Sequence, residues 1–117
     1  IDPRNDGDVD ESSNIEGRVV IMPGAKISGS TIRGPVVIGE NVVVEDSYVG
    51  PYSSIAANSQ IINSELEHSV LMEGAVIRGV TRIVDSLIGR DAICERDERQ
   101  PSAYRVMIGD TSTVKIP

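Results

Sequence analysis

Aliphatic residues recur along the chain at steps of five or six positions, and the positions between them are mostly polar or small. The series is Ile15, Ile21, Ile27, Ile32, Ile38, Val44, Val49, Ile55, Ile61, Leu66, Leu71, Ile77, Ile83, Ile88 and Cys94. Steps of six, six and five residues add to a period of 17. A fixed internal period is typical of repeat architectures, in which each unit buries its apolar side chains by stacking on its neighbours.

Each period predicts three short strands that close one triangular coil, so residues 15–94 are expected to form about five coils. One imperfect coil lies between Ile61 and Ile77, where two five-residue sides follow each other. Many of the aliphatics are followed, four positions later, by a small or medium-sized residue. These residues are expected to fill the corners beside the inward aliphatics, and they are Ala25, Val36, Val42, Ser53, Ser59, Ala75, Thr81 and Ala92. Glycines near the corners would allow the tight turns.

Both ends of the chain lack the repeat. Residues 1–14 are polar and acidic, and we interpret them as a lead-in or linker. Residues 95–117 begin with a charged run and end in YRVMIGDTSTVKI, which predicts a loop followed by a strand that covers the open end of the last coil.

One outward face of the predicted coils is apolar and uncharged. Residues that flank an inward-pointing aliphatic point outward. On the side that carries Ile21, Ile38 and Ile55, the larger flanking residues are Val20, Met22, Val37, Val70, Met72 and Leu87. The other two sides are polar or mixed. An apolar strip of this kind indicates an interface, so these six residues are the predicted contact surface with another subunit or a further domain.

Composition narrows the classes of function. The formal net charge of −7 and the pI of about 4.6 disfavour nucleic acid or an anionic membrane as partner. Three tyrosines are the only aromatic residues, which favours a core of thin layers of branched side chains. There is no apolar run of about 20 residues and no signal peptide, and we expect a cytoplasmic protein.

Residues with catalytic or ligand-binding chemistry are few. A single cysteine provides neither a disulfide framework nor a cysteine-rich metal site, and Cys94 falls at an inward position as a small core residue. Asp46, Asp85 and Asp91 lie near predicted corners, where aspartate favours turns. No phosphate-binding glycine loop is present, so the sequence predicts no metal, cofactor or paired-carboxylate site in this chain.

The repeat resembles the hexapeptide motif [LIV]-G-x-x-[STAV]-x of left-handed parallel β-helices, and the left hand follows from that resemblance. The segments IRGPVVIGEN, YVGPYSSI and RIVDSLIGR are more specific. Over residues 7–116 the chain resembles the C-terminal β-helix of long-type glucose-1-phosphate thymidylyltransferases. In that family, a separate N-terminal domain couples dTTP and glucose 1-phosphate to dTDP-glucose and pyrophosphate with Mg²⁺.

The signature of that catalytic domain, a G-x-G-T-R loop followed by Pro-Lys, is absent from this sequence. The resemblance therefore implies a non-catalytic module that serves oligomerisation, with a homotrimer expected, and supports the missing nucleotidyltransferase domain. The alternative is a hexapeptide-repeat acyltransferase that uses acetyl-coenzyme A. It would need a general base, and the single histidine, His68, is its only histidine candidate, although a surface histidine is the simpler interpretation.

Overall fold

The computed structural model describes residues 3–96, 106–107, 109–111 and 113–116, and these contain strands but no helix. The strands form three parallel sheets, one for each side of a triangular coil. Sheet A contains β1 (Arg4–Asn5), β4 (Val19–Ile21), β7 (Val36–Ile38), β10 (Ser53–Ile55), β13 (Val70–Leu71) and β16 (Leu87–Ile88). Sheet B contains β2 (Asp8–Val9), β5 (Lys26–Ser28), β8 (Val43–Glu45), β11 (Gln60–Ile62), β14 (Val76–Arg78) and β17 (Ile93–Glu95). Sheet C contains β3 (Asn14–Glu16), β6 (Thr31–Arg33), β9 (Tyr48–Val49), β12 (Glu65–Glu67) and β15 (Ile83–Val84).

This architecture confirms the predicted fold class, an all-β parallel β-helix. The strands are two or three residues long, and the chain visits sheets A, B and C in turn, so that five complete coils and two sides of a sixth are stacked. The molecule is elongated, with extents of 41 × 30 × 21 Å.

Strand register reproduces the period read from the sequence. Ile21 pairs with Ile38, and Ile38 with Ile55, each 17 positions apart. Ile55 then pairs with Leu71, only 16 positions on, and the spacing of 17 returns between Leu71 and Ile88. The predicted imperfect coil is therefore confirmed.

The core is a column of stacked aliphatic side chains along the coil axis. Every inward aliphatic from Ile21 to Ile77 is at most 1% exposed. Ile15, Ile88 and Cys94 lie in the first and last coils and are partly buried against this column, as predicted for Cys94. Each inward residue meets its equivalents in the coils above and below, which keeps water from the column.

Two expectations about the sequence are corrected by the structure. The segment 1–14 is expected from the sequence to be a lead-in or linker, but β1 pairs with β4 and β2 pairs with β5, so residues 4–16 form the first coil. Its inward position is occupied by Val9, which packs against the core although its neighbours are acidic. Thr81 does not fill a corner, because the side from Ile77 to Ile83 has an extra residue and Val80 packs there while Thr81 is exposed.

The predicted closing strand, residues 104–116, falls partly outside the described residues. Those that are described, at 106–107, 109–111 and 113–116, form no strand. Residues 97–105, which include the rest of the charged run 95–100 predicted as a loop, lie outside the described part of the chain.

Corners are made by residues with positive φ. Aspartate and asparagine adopt this conformation more readily than other residues with a side chain. Asp46, Asp85 and Asp91 all have φ near +50°, at 48°, 51° and 56°, which confirms their predicted positions in turns. In a neighbouring coil the equivalent turn position is often a glycine, and the aspartate or asparagine side chain lies over that glycine. A Cβ on Gly24, for example, would be 2.1 Å from Asn41 Oδ1.

Candidate functional site

The outward residues of sheet A form a continuous uncharged strip from β4 to β16, which we call the apolar face. It consists of Val20, Met22, Val37, Gly39, Ser54, Ala56, Val70, Met72, Leu87 and Gly89. Three of the six residues predicted as interface are exposed: Leu87 by 67%, Val70 by 44% and Met72 by 41%. Met22 and Val37 are half-buried. Val20 is only 8% exposed, so it offers little surface to a partner.

A shallow, mainly apolar depression of about 240 Å³ lies beside the apolar face. Val20 and Val37 line it from sheet A, and Arg18, Pro35 and Tyr52 line it from the adjoining corner. The apolar face therefore ends at this corner in a concave margin rather than a flat edge.

His68 lies at the same corner, one coil beyond Tyr52. Its backbone has φ +50°, and its N–H donates to the carbonyl of Pro51. The imidazole Nδ1 is 3.8 Å from Asp85 Oδ1, and the ring meets Tyr52 edge-on at 5.2 Å between centroids. The His68 side chain is 53% exposed. A histidine beside a carboxylate has the elements of a general base, but this one lies on an open corner.

Two ladders of serine hydroxyls run along the corners. In the first, the hydroxyl oxygens of Ser13, Ser30, Ser47 and Ser64 each accept a hydrogen bond from a backbone N–H one coil further on. In the second, Ser53 and Ser69 do the same. All the buried polar residues in the described part of the chain are serines. Serines before the aliphatic on the five-residue sides were visible in the sequence, but nothing there showed that they link successive coils.

Asp10 lies at the N-terminal end of the first ladder, next to Ser13. Its carboxylate accepts hydrogen bonds from the hydroxyls of Ser13, at 2.7 Å, and Ser12, at 2.8 Å, and from the backbone N–H of Gly29 at 3.3 Å. These bonds, with the Ser13 hydroxyl first, hold the pKa of the Asp10 carboxyl below its usual range. At the other end of the molecule, burial raises the pKa of the Cys94 thiol, which disfavours the reactive thiolate.

A second depression, about 520 Å³ in volume, follows the corner between sheets B and C and is called here the corner groove. Thr31, Tyr48 and Glu65 line it from sheet C, and Asp46, Asn63 and Arg96 line it from the turns. The sequence carries no direct signal for this groove, because its walls form only when equivalent positions of successive coils are stacked.

Within the described ranges, no three histidine, cysteine or carboxylate side chains come close enough together to hold a metal ion. No helix long and apolar enough to cross a bilayer occurs in the part of the chain that the structure describes.

No protein-family profile matches the chain. Two curated glucose-1-phosphate thymidylyltransferases are similar to it: 41% identity over 99% of this chain with the protein from Streptomyces antibioticus, and 44% over 98% with that from Streptomyces griseus. A low-salt glycan biosynthesis nucleotidyltransferase from Haloferax volcanii is 38% identical over 60% of the chain. The chain spans only 33% and 32% of the two Streptomyces proteins.

Among solved structures, a mutant perosamine N-acetyltransferase from Caulobacter crescentus, in complex with CoA and GDP-perosamine, covers 80% of this chain and 49% of its own. The identity is 17% and the TM-score 0.49. The resemblance seen in the sequence is confirmed by the relatives: over nearly its whole length, the chain is similar to about one third of the glucose-1-phosphate thymidylyltransferases.

Proposed function

We propose that this chain is the non-catalytic β-helix module of a sugar-nucleotide nucleotidyltransferase, and that it serves assembly and the support of a catalytic domain. The parent reaction would be dTTP plus glucose 1-phosphate to dTDP-glucose and pyrophosphate, with Mg²⁺ in the other domain, in the cytoplasm. The observation that carries this proposal is the similarity itself, which extends over 98–99% of the chain but only about a third of each Streptomyces relative.

The apolar face supports the assembly role. Five coils, spaced about 4.8 Å apart, make it roughly 20 Å long, and no charged side chain interrupts it between Val20 and Gly89. Exposed apolar strips of this size on a protein surface usually mark an interface. The proposed occupant is a second copy of this chain, arranged as a homotrimer in which each apolar face packs against the next subunit.

Replacing the corresponding third of the Streptomyces griseus relative with this chain tests the support role. We expect the chimera to make dTDP-glucose and to have the oligomeric mass of the intact relative, whereas the relative truncated before this third should lose that mass. A chimera that behaves like the truncated protein would contradict the proposal. Measurements of pyrophosphate release and of mass by light scattering separate catalysis from assembly.

A matched pair of variants tests the apolar face directly. Val70, on the apolar face, is 44% exposed, and Val84, on sheet C, is 42% exposed. Val70→Lys is expected to shift the solution mass from trimer towards monomer, because three lysines would be desolvated at the interfaces. Val84→Lys should leave the mass unchanged. Equal masses for both variants, at the wild-type value, would exclude the apolar face as the contact surface.

The acyltransferase alternative depends on one observation, the approach of His68 Nδ1 to Asp85 Oδ1 at 3.8 Å. A histidine close to a carboxylate could accept a proton from an amino-sugar acceptor. The test is acetyl transfer from acetyl-coenzyme A to amino sugars by the wild type, His68→Ala and His68→Gln. Transfer that disappears in both variants, while the solution mass is unchanged, would support it. Wild-type transfer that survives in both would exclude His68 as the base.

A further inference from the structure

We propose that the corner groove is a binding site for a neutral sugar, with Tyr48 as its stacking surface. This inference does not depend on the proposed assembly role, because the groove lies between sheets B and C and the apolar face lies on sheet A. The groove has a volume of about 520 Å³ and is open to solvent.

The Tyr48 ring lies against the protein surface because the residue beneath it, Gly50, has no side chain. Tyr48 and Gly50 are two residues apart and point to the same side of sheet C. A Cβ on Gly50 would lie 2.9 Å from both the Tyr48 hydroxyl oxygen and ring atom Cε2, so the ring occupies the space above Gly50. Tyr48 also lines the groove, and an aromatic ring carries a π-surface with negative character, which attracts the polarised C–H groups of a pyranose.

Four more hydrogen-bonding side chains line the groove, and none of them makes a hydrogen bond to another residue within the described ranges. The side chains concerned are those of Thr31, Asp46, Asn63 and Glu65. Among the described residues, the nearby side-chain hydrogen bonds are made by the serine ladder and the Arg82–Glu67 pair instead. Two carboxylates, one amide and one hydroxyl can accept hydrogen bonds from sugar hydroxyls, and the amide and hydroxyl can also donate.

The charge of the groove favours a neutral ligand over a phosphorylated one. Asp46 and Glu65 lie in its middle coils, and Arg96 lies at its far end. Two carboxylates in the groove lining would repel a phosphate, whereas ionised carboxylates make stronger hydrogen bonds to hydroxyls than neutral acceptors do. The chemical class that fits is therefore an uncharged hexose or a short oligosaccharide.

The experiment is an amide-shift titration of the full chain by NMR, using the methyl glycosides of glucose, galactose, mannose and rhamnose. We expect at least one glycoside to shift the amides of Thr31, Tyr48 and Glu65 saturably, with a Kd of about 1–10 mM. Glucose 1-phosphate is the charged probe, and it should bind more weakly than methyl glucoside. Tighter binding of glucose 1-phosphate would overturn the assignment to a neutral sugar.

Two variants locate the site. Tyr48→Thr introduces the residue that occupies the equivalent position in the preceding coil, Thr31, so the strand should still form. It should abolish the saturable shifts. Glu65→Gln should weaken binding about three- to tenfold, and Glu73→Gln, at an exposed corner away from the groove, should leave it unchanged. If no glycoside shifts these amides, or if the shifts survive Tyr48→Thr, the groove is not a sugar site.

Discussion

At the scale of single residues, serine is the side chain that allows polar groups to be buried in this protein. Ser47 shows how: its hydroxyl donates to the carbonyl of Glu45 at 2.7 Å, within its own coil, and its oxygen accepts from the Ser64 N–H at 3.1 Å, in the next coil. One short side chain thus satisfies two backbone groups at a turn where strand pairing is interrupted. No buried side-chain nitrogen or oxygen lacks a partner in the described ranges.

Ser47→Ala should lower the free energy of unfolding by about 1–3 kcal/mol, because it leaves the buried N–H of Ser64 without an acceptor. Thr81→Ala is the matched control, since Thr81 is exposed and lies outside the apolar face. Its effect should be within about 0.5 kcal/mol. Urea denaturation of both variants measures the difference, and equal losses would show that the ladder does not stabilise the fold.

Asp10 gives the first coil a dependence on pH. Because the folded state lowers the pKa of its carboxyl, Asp10 stabilises the fold above the ordinary aspartate pKa. That contribution is lost as pH falls through the lower folded-state value. We expect Asp10→Ala to lower the Tm at about pH 7, and the difference from wild type to be smaller near pH 2. A difference that is the same at both pH values would mean that the charge of Asp10 is not involved.

At the scale of the coil, strands of two or three residues are stable only because every strand inside the stack pairs on both sides. Backbone groups of neighbouring coils must therefore approach closely, and this limits the side chains near the turns. Gly39 donates its N–H to the carbonyl of Ile55 at 2.7 Å. A Cβ on Gly39 would lie 2.8 Å from that same oxygen and from Ala57 N.

Gly39→Ala should therefore destabilise the protein by about 1–3 kcal/mol, because backbone atoms of the next coil would have to move. Gly89→Ala is its control, since Gly89 occupies the same position of a later coil and a Cβ there would meet no atom within 4 Å. Gly89→Ala should be neutral or slightly stabilising. Thermal unfolding of the two variants decides the point, and similar Tm values would contradict the predicted clash.

At the scale of the whole molecule, stability should vary along the coil axis. Each coil contacts only its neighbours, so the last coil, with Ile88 and Cys94 incompletely covered, has fewer stabilising contacts than the middle ones. Two backbone hydrogen bonds with nearly equal donor–acceptor distances can measure this difference in stability. Val43 donates to the carbonyl of Ser59 at 3.0 Å in the middle of the stack, and Val76 donates to the carbonyl of Ala92 at 2.9 Å near its end.

Amide hydrogen exchange should be at least about tenfold slower at Val43 than at Val76, because the last coil can open without the middle ones. Both residues precede an inward aliphatic in sheet B and are half-buried, so local structure does not distinguish them. Equal protection would show that the solenoid opens as a single cooperative unit.

The sequence predicted the coils well, but it predicted the ends, one corner and the exposure of the surface residues less well. The inward aliphatics, the imperfect coil at Ile61–Ile77 and the turn aspartates were readable, because each depends on local spacing. The first coil was missed, because Val9 is one apolar residue among acidic ones, and the corner at Thr81 was misplaced by a single extra residue. The predicted interface stays a prediction, although Val20 proved to be almost completely covered.

By itself, the sequence determined the period, the three-sided coil and the residues that point inward. These follow from the need to bury an aliphatic side chain at every fifth or sixth position. Only the tertiary structure decided which residues of different coils meet. It brought Ser47 to the backbone of Ser64, Tyr48 over Gly50, and His68 towards Asp85. The physical reason is that the strand register between stacked coils decides which residues become neighbours. A shift of one residue in that register moves a side chain from the core to the surface.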